Sequence, residues 1–182
     1  MNDYEYDSYY PRSYGYVPSF ADTLSAAMFC QKTVDTDLYT YPQNLHGAIE
    51  LIRQAVEGEA EDRAFYTWLM DQAPSEEDLQ IITGIRDDEI NHDALLRQIY
   101  YDLTGGLLPQ PEEEAVSLSQ TYCQGLALAL SGEQNTVERY RRILYAMQSR
   151  IHLNMLIGIM TDEIRHGILF NYLYSRNGCT AG

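Results

Sequence analysis

The sequence predicts an all-α fold, a four-helix bundle built from two copies of one helical hairpin. Apolar residues recur with a period near 3.6 over four long segments. Residues of the second half repeat those of the first at a constant offset of 74 positions, and the repeat includes residues without ligand chemistry, such as Gly84 and Gly158. A linker rich in glycine and proline follows the second segment. We therefore predict two like hairpins joined by a long crossover between helices 2 and 3.

The ends of the first hairpin are marked by residues that start and stop helices. Helix 1 follows Pro42 and is predicted to end before Pro74. Ser75, with three acidic residues directly after it, is a strong start for helix 2, because acids in the first turn complement the helix dipole. Helix 2 is predicted to end near Leu103, where two glycines follow.

The linker from 104 to 118 decides the topology. For the ligands of the two hairpins to meet, the chain must return about 36 Å, at roughly 1.5 Å per helical residue. An extended linker of this length reaches about 50 Å. Helix 3 must then begin near 119–121, so 112–114 is interpreted as linker or a short turn, and helix 4 follows a tight turn near Ser149.

Each hairpin places three candidate metal ligands on its apolar stripes. The second helix of each carries Glu-x-x-His, whose side chains lie about one turn apart on one face. A lone Glu lies 30 residues before the Glu of each motif. Carboxylates buried without a counter-charge are strongly destabilising, and a pair of divalent ions would satisfy all six groups, each ion taking one imidazole, one terminal carboxylate and two shared carboxylates. The predicted ligands are Glu59, Glu89, His92, Glu133, Glu163 and His166.

Polar residues one turn before the histidines are candidates for holding the imidazoles. Asp88 and Asp162 lie four residues before the histidines of their own helices, where a carboxylate can accept the second imidazole N–H. Surface exposure is the alternative interpretation of this pair. Arg165 completes Asp-Glu-x-Arg-His in the second half, and Asn91 takes its place in the first.

One tyrosine in each half accompanies the lone Glu. Tyr66 and Tyr140 follow it by seven residues, and we expect them to donate a hydrogen bond to a ligand carboxylate, with ordinary core packing as the alternative. His46 and His152 have no ligand partner at helical spacing, so they are interpreted as ordinary residues.

Composition limits the partners. The chain carries 12 basic and 27 acidic residues, a net charge of −15, which argues against nucleic acid or anionic lipid and favours cations. No apolar run approaches the roughly 20 residues that cross a membrane. Cys30, Cys123 and Cys179 include no C-x-x-C pair, so neither a zinc ribbon nor a rubredoxin-type iron site is encoded, and a reducing, cytoplasmic compartment is expected.

Three regions divide the chain. Residues 1–41 form a tyrosine-rich tail predicted to be mostly irregular, in which 24–30 is a short apolar stretch of one or two helical turns. This tail is either a flexible arm or a segment that docks on a partner surface. Residues 42–176 form the bundle, and 177–182 is expected to fray.

At the paired Glu…Tyr and Glu-x-x-His blocks the sequence resembles the ferritin-like superfamily, and most closely the rubrerythrin-like di-iron proteins, over about 42–176. The resemblance implies two Fe ions held by the six predicted ligands, and oxidation of Fe(II) by peroxide or dioxygen. The chain lacks the rubredoxin-like Cys₄ site of rubrerythrins, and Thr136 stands where these proteins usually carry an additional Glu. A peroxidase would therefore need an external electron donor.

Three functions remain open from the sequence. The first is a di-iron oxidoreductase of peroxidase or ferroxidase type, serving peroxide scavenging or iron oxidation. The second is a dimanganese catalase, or a mixed Fe/Mn centre, because oxygen ligands do not distinguish these metals. The third is a metal-stabilised structural protein without turnover, associated with a spore or coat through the tyrosine-rich tail. A homodimer is an expected assembly, since helical bundles of this size often pair.

Overall fold

The structure, a computed structural model, describes residues 35–110 and 120–180. A short 3₁₀ helix, Asp37–Tyr39, precedes four α-helices. No strand occurs in the described ranges, so the predicted all-α four-helix bundle is confirmed. Residues 1–34 of the predicted tail, with its apolar stretch, and the acidic segment 112–114 lie outside the described residues. The helices are α1 (Leu45–Asp71), α2 (Glu76–Thr104), α3 (Tyr122–Leu144) and α4 (Arg150–Arg176).

The residues that predicted the helix ends also cap them in the structure. Ser75 is the N-cap of α2, and its hydroxyl accepts a hydrogen bond from the backbone N–H of Asp78 at 3.3 Å. Gly105 closes α2 in the left-handed conformation, with φ of 70°, which a residue without Cβ adopts freely. Thr121 and Gln124 form a capping box at the start of α3, with hydrogen bonds of 2.9 and 3.3 Å, so α3 begins where the linker length required.

Contacts between helix ends establish the crossover. Asn44, just before α1, donates to the backbone carbonyl of Tyr145, just after α3, at 3.0 Å. Asn177, just after α4, donates to Asp78 in the first turn of α2 at 2.6 Å. The start of α1 therefore lies beside the end of α3, and the start of α2 lies beside the end of α4.

The described part of the linker begins this return. After Gly105 the chain runs back beside α2, where Arg97 donates to the carbonyls of Leu108 and Pro109 at 2.9 and 3.0 Å. The side chain of Leu108 packs on the apolar core. These contacts hold the first residues of the crossover against the helix they have just left.

Two apolar clusters fill the bundle on either side of a polar layer. One cluster lies toward the start of α1 and contains Ile52, Leu96 and Leu156, all fully buried. The other lies toward the end of α1 and contains Leu69 and Phe170, also fully buried. Each such side chain contributes about 1.5–3 kcal/mol through burial. The candidate ligands on each helix lie between the two clusters.

Asp78 is buried, although the sequence suggested only an acid complementing the helix dipole. Its carboxylate accepts hydrogen bonds from Ser75, from the hydroxyl of Tyr122 at 3.1 Å and from Asn177 at 2.6 Å, and Arg176 lies 3.7 Å away. Burial alone would raise the pKa of Asp78, but the hydrogen bonds and the arginine outweigh it and hold that pKa below its usual value. One carboxylate thereby ties α2 to the start of α3 and the end of α4.

The expected fraying after Arg176 is wrong for the first residues that follow it. Asn177 donates to the carbonyl of Leu173 at 2.8 Å, and Cys179 forms a disulfide with Cys123, with 5.5 Å between their Cα atoms. The wide spacing of the cysteines did not predict this pair. Because disulfides are uncommon in reducing compartments, the cysteines no longer support a reducing environment.

Across the two ranges that the structure covers, no helix has an apolar stretch long enough to span a membrane.

Candidate metal centre

The structure brings the six predicted ligands together in the middle of the bundle. Each is at most 2% exposed. Their oxygen and nitrogen atoms form two overlapping groups, and within each group the atoms lie within 4.8 Å of one another. Glu89 and Glu163 belong to both groups, whereas each lone Glu and each histidine belongs to one. The groups are Glu59, Glu89, His92 and Glu163, and Glu89, Glu133, Glu163 and His166.

Both imidazoles present Nδ1 to the carboxylates. Nδ1 of His92 lies 2.7 Å from Glu89 Oε2 and 3.0 Å from Glu163 Oε1. Nδ1 of His166 lies 3.1 Å from Glu89 Oε1 and 3.8 Å from oxygens of Glu133 and Glu163. Nδ1 is therefore the candidate ligand atom of each ring, and Nε2 is left for other partners.

The two tyrosines reach across the bundle. The hydroxyl of Tyr66, on α1, donates to Glu133 on α3 at 2.6 Å, and the hydroxyl of Tyr140, on α3, donates to Glu59 on α1. Burial, reinforced by the charges of these carboxylates, raises the pKa of both tyrosines, so both remain protonated donors. The sequence predicted a bond to a ligand carboxylate, and the structure shows that the carboxylate belongs to the opposite half.

The aspartates also contact the opposite half, so the expectation that each serves the histidine of its own helix is wrong. Asp88 Oδ2 lies 3.1 Å from Nε2 of His166, and Asp162 Oδ2 lies 3.6 Å from Nε2 of His92. Because α2 and α4 face each other, an Asp one turn before its own His lies beside the facing His. Arg165 donates to Asp88 at 2.7 Å and to Asp162 at 2.9 Å, which joins α2 to α4.

Burial and mutual repulsion hold protons on the cluster. Burial, followed by the charges of Glu89 and Glu163, raises the pKa of Glu59, and burial with the bond to Glu163 raises that of Glu133 to about 9. Burial alone would lower the histidine pKa values, but the carboxylates raise His92 to about 10 and His166 to about 12. Glu163 behaves oppositely, since hydrogen bonds from Glu133 and the histidines outweigh burial and lower its pKa to about 2. Protons thus supply the positive charge that the carboxylates require.

The donor set fits a metal ion. Within the described residues, Glu59 Oε2 is buried and makes no hydrogen bond. Glu89 Oε1 and Glu163 Oε1 are also buried, and they face Nδ1 of His166 and of His92 at 3.1 and 3.0 Å. Buried polar atoms are nearly always paired, so the free oxygen of Glu59 is available to a ligand, and a bound cation could replace the protons between the other carboxylates and the imidazoles. Carboxylate oxygens with one imidazole nitrogen per group suit divalent iron, manganese or zinc. These buried residues could hold a metal ion.

Sequence reasoning missed one acidic residue beside the centre. Asp62 lies one turn after Glu59, and burial with the charges of Glu89 and Glu163 raises its pKa to about 7. Its counterpart in the second half is Thr136. The three-residue spacing from Glu59 was the available signal, because it places Asp62 on nearly the same face of α1.

The remaining histidines lie outside the cluster. His46 is exposed, and His152 is buried at the end of the bundle, where its Nε2 lies 2.9 Å from Asp102 Oδ2.

Comparison with known proteins finds a relative in sequence and a relative in structure. No family model matches the sequence. The uncharacterized protein YhjR of Bacillus subtilis strain 168 is 30% identical over 138 residues, which cover 74% of this chain and 93% of YhjR. A solved structure of a hypothetical protein from Pyrococcus furiosus superposes with a TM-score of 0.63 at 20% identity, covering 74% of this chain and 93% of that one. This second similarity shows the fold alone.

Proposed function

The chain belongs to the same family as YhjR, and we propose that it is a dinuclear metal oxidoreductase of the rubrerythrin-like type, using two iron ions to reduce peroxide or dioxygen. The observation that carries this proposal is the overlap of the two ligand groups. Glu89 and Glu163 belong to both groups, as carboxylates shared by two adjacent ions would. Glu59 with His92 would complete one ion's ligands.

The protein contributes ligands in fixed orientations. Glu133 and His166 mirror Glu59 and His92 in the second group. The crossed tyrosine hydroxyls orient the two terminal carboxylates. Asp88, by accepting the Nε2 proton of His166, leaves the Nδ1 lone pair directed at the carboxylates.

When bound, two ferrous ions supply one electron each, and with two protons these reduce hydrogen peroxide to two waters. The apolar clusters on both sides of the ligand layer exclude bulk water from it. Cys123 and Cys179 are paired with each other. They are therefore not thiolate ligands of an electron-relaying iron site, and we propose that an external donor restores the reduced state.

The proposal is tested on the full-length chain, prepared metal-free and loaded without oxygen with Fe(II) or Mn(II). Bound metal per chain is measured, followed by the rate of peroxide loss with and without a reductant. We expect about two ions per chain and reductant-dependent peroxide loss by the iron form. Oxygen release without reductant by the manganese form would instead identify a dimanganese catalase. Two bound ions with no turnover by either form would favour a structural role.

A pair of histidine variants separates the centre from general effects. His92→Ala removes a buried candidate ligand, whereas His46→Ala removes an exposed imidazole outside the cluster. The proposal expects loss of metal and peroxide turnover in His92→Ala, with wild-type behaviour in His46→Ala. Equal metal content and equal turnover in both variants would contradict it.

A further inference from the structure

A groove reaches the ligand cluster from the α2–α4 face. It has a volume of about 430 Å³ and lies between α2 and α4, toward the end of α2. Its polar lining consists of Asp88, Asn91, His92, Asn154 and Asp162. We call this cavity the α2–α4 groove. It connects solvent with the Nε2 side of the His92 imidazole.

The floor of the groove is an unsatisfied buried nitrogen. His92 is 2% exposed, and its Nε2 makes no hydrogen bond with any residue in the described ranges. The nearest carboxylate oxygen, on Asp162, lies 3.6 Å from it. A buried polar atom without a partner at the bottom of a polar groove indicates that a polar ligand or its water shell occupies the space above it.

The duplication shows why the groove is open on this side. At the equivalent positions in the second half, Asn91 is replaced by Arg165 and Ala94 by Ile168, which are both larger. Arg165 spans the two aspartates, and Nε2 of His166 is already occupied by Asp88 at 3.1 Å. On α2 the groove is therefore lined by the smaller residue at both positions.

We propose that the α2–α4 groove is the access route by which hydrated divalent cations reach the centre. This inference rests on the proposed dinuclear site. Arg165 bonds Oδ2 of Asp88 and Oδ1 of Asp162, which leaves Oδ1 of Asp88 and Oδ2 of Asp162 without a bond to it. These two oxygens and the amide oxygens of Asn91 and Asn154 can replace waters of a hydrated ion in stages. The net charge of −15 favours the arrival of cations at the surface.

The test is the rate of Co(II) uptake by the metal-free full chain, followed by visible absorption in a stopped-flow instrument. Asn91→Arg places an additional cation in the groove, beside the two aspartates that Arg165 already bonds. We expect uptake to slow by about tenfold or more, because a like charge opposes the entering ion, while the final number of ions stays the same. Asn135→Arg, at an exposed position of α3 outside the groove, is the matched control and should load at the wild-type rate.

Ala94→Ile is a second variant that narrows the groove without changing charge, and it should also slow uptake. Wild-type rates in both Asn91→Arg and Ala94→Ile would overturn the route. A wild-type chain that binds no cobalt, iron or manganese at equilibrium would overturn the dinuclear centre itself. The two failures are distinct, because the first appears as unchanged rates with full loading and the second as absent loading.

Discussion

The two hairpins supply the same three candidate ligands each, yet the residues around those ligands differ between the hairpins. In the first hairpin (α1 and α2), Asn91 stands at the position that Arg165 occupies in the second (α3 and α4), and Asp62 stands where the second has Thr136. The residues that face the centre repeat, and residues beside them do not. This difference teaches that the repeated helix face places the candidate ligands, whereas the flanking residues determine the size and charge of the side chains on each side.

The hairpins also differ in how their ends are fastened. The disulfide between Cys123 and Cys179 joins the start of α3 to the segment after α4. The equivalent positions in the first hairpin are Ile49 and Gly105, so no such bond exists there. The second hairpin is covalently closed at one end, and the first depends on packing and hydrogen bonds.

The largest expected effect comes from a shared ligand. Glu163→Gln removes a carboxylate that belongs to both ligand groups, while Glu133→Gln removes one that belongs to a single group. We expect Glu163→Gln to lose both ions and Glu133→Gln to retain one, with affinity losses above the roughly 10–100-fold typical of residues behind the ligands. Metal content after equilibrium dialysis measures this. Equal losses in the two variants would show that the groups do not overlap functionally.

Reduction of the disulfide should destabilise the second hairpin. A bridge that closes a loop of this size typically contributes about 2–4 kcal/mol. We expect Cys179→Ser to lower the free energy of unfolding by about that amount, as measured by denaturant titration, with unchanged metal stoichiometry. Cys30→Ser lies outside this bridge and is the matched control. A wild-type free energy of unfolding in Cys179→Ser would contradict a stabilising role.

Removing a tyrosine hydroxyl should have a smaller effect on metal affinity. The effect should fall on the ligand group whose lone Glu lies in the other hairpin. Tyr66→Phe removes the hydroxyl bonded to Glu133, and Tyr140→Phe removes the one bonded to Glu59. Each variant should weaken one of two ion-binding steps by about 10–100-fold, which calorimetric titration resolves. His166→Ala, combined with either variant, identifies the affected ion. In the His166→Ala background, Tyr66→Phe should lower metal affinity little further, because Glu133 and His166 belong to the same group. If Tyr66→Phe lowered metal affinity by its full amount in the His166→Ala background, Tyr66 would act on the other ion.

The pKa shifts predict a graded loss of stability in the metal-free chain as pH rises. The raised histidine pKa values of about 10 and 12 add stability that is complete below the unfolded value of about 6.5 and is lost as pH rises through the folded values. Glu133, with a folded pKa of about 9, adds stability that is complete below about 4.3 and is lost as pH rises through 9. Glu163 acts only in acid, because its lowered pKa adds stability that is lost as pH falls through about 2.

We therefore expect the Tm of metal-free protein to fall between pH 6.5 and 9 and to fall less with bound Mn(II), because the ions replace the protons. A calorimetric scan at both values, with and without Mn(II), measures this. Parallel Tm changes in the metal-free and metal-bound samples would contradict the replacement.

Local signals made much of the fold predictable. The N-caps Ser75 and Thr121 and the C-terminal Gly105 define helix ends through hydrogen bonds within a few residues, so the sequence alone indicates them. The six candidate ligands were also predictable, since acids on an apolar stripe conflict with burial unless a counter-charge binds them. The 74-residue repeat places acids on an apolar stripe in both halves of the chain, so the same pattern occurs twice.

Contacts between the halves were less accessible from the sequence. The partners of Tyr66, Asp88 and Asp162 depend on how α1 faces α3 and how α2 faces α4, which spacing along one helix does not contain. The disulfide had a usable signal, because Cys123 opens α3 and Cys179 follows α4, and antiparallel neighbours bring those ends together. The separation of 56 residues between the two cysteines gives no indication of this pairing by itself.

The exchange of tyrosine and aspartate contacts between the hairpins has a mechanical consequence. Neither hairpin orients its own lone Glu, since Glu59 accepts its tyrosine hydrogen bond from α3 and Glu133 accepts one from α1. Ions that bind only when the two hairpins are packed together would stabilise that packing, because their binding free energy adds to the stability of the assembled bundle. When the metal is withdrawn, the seam between the hairpins is the place where the molecule should open first.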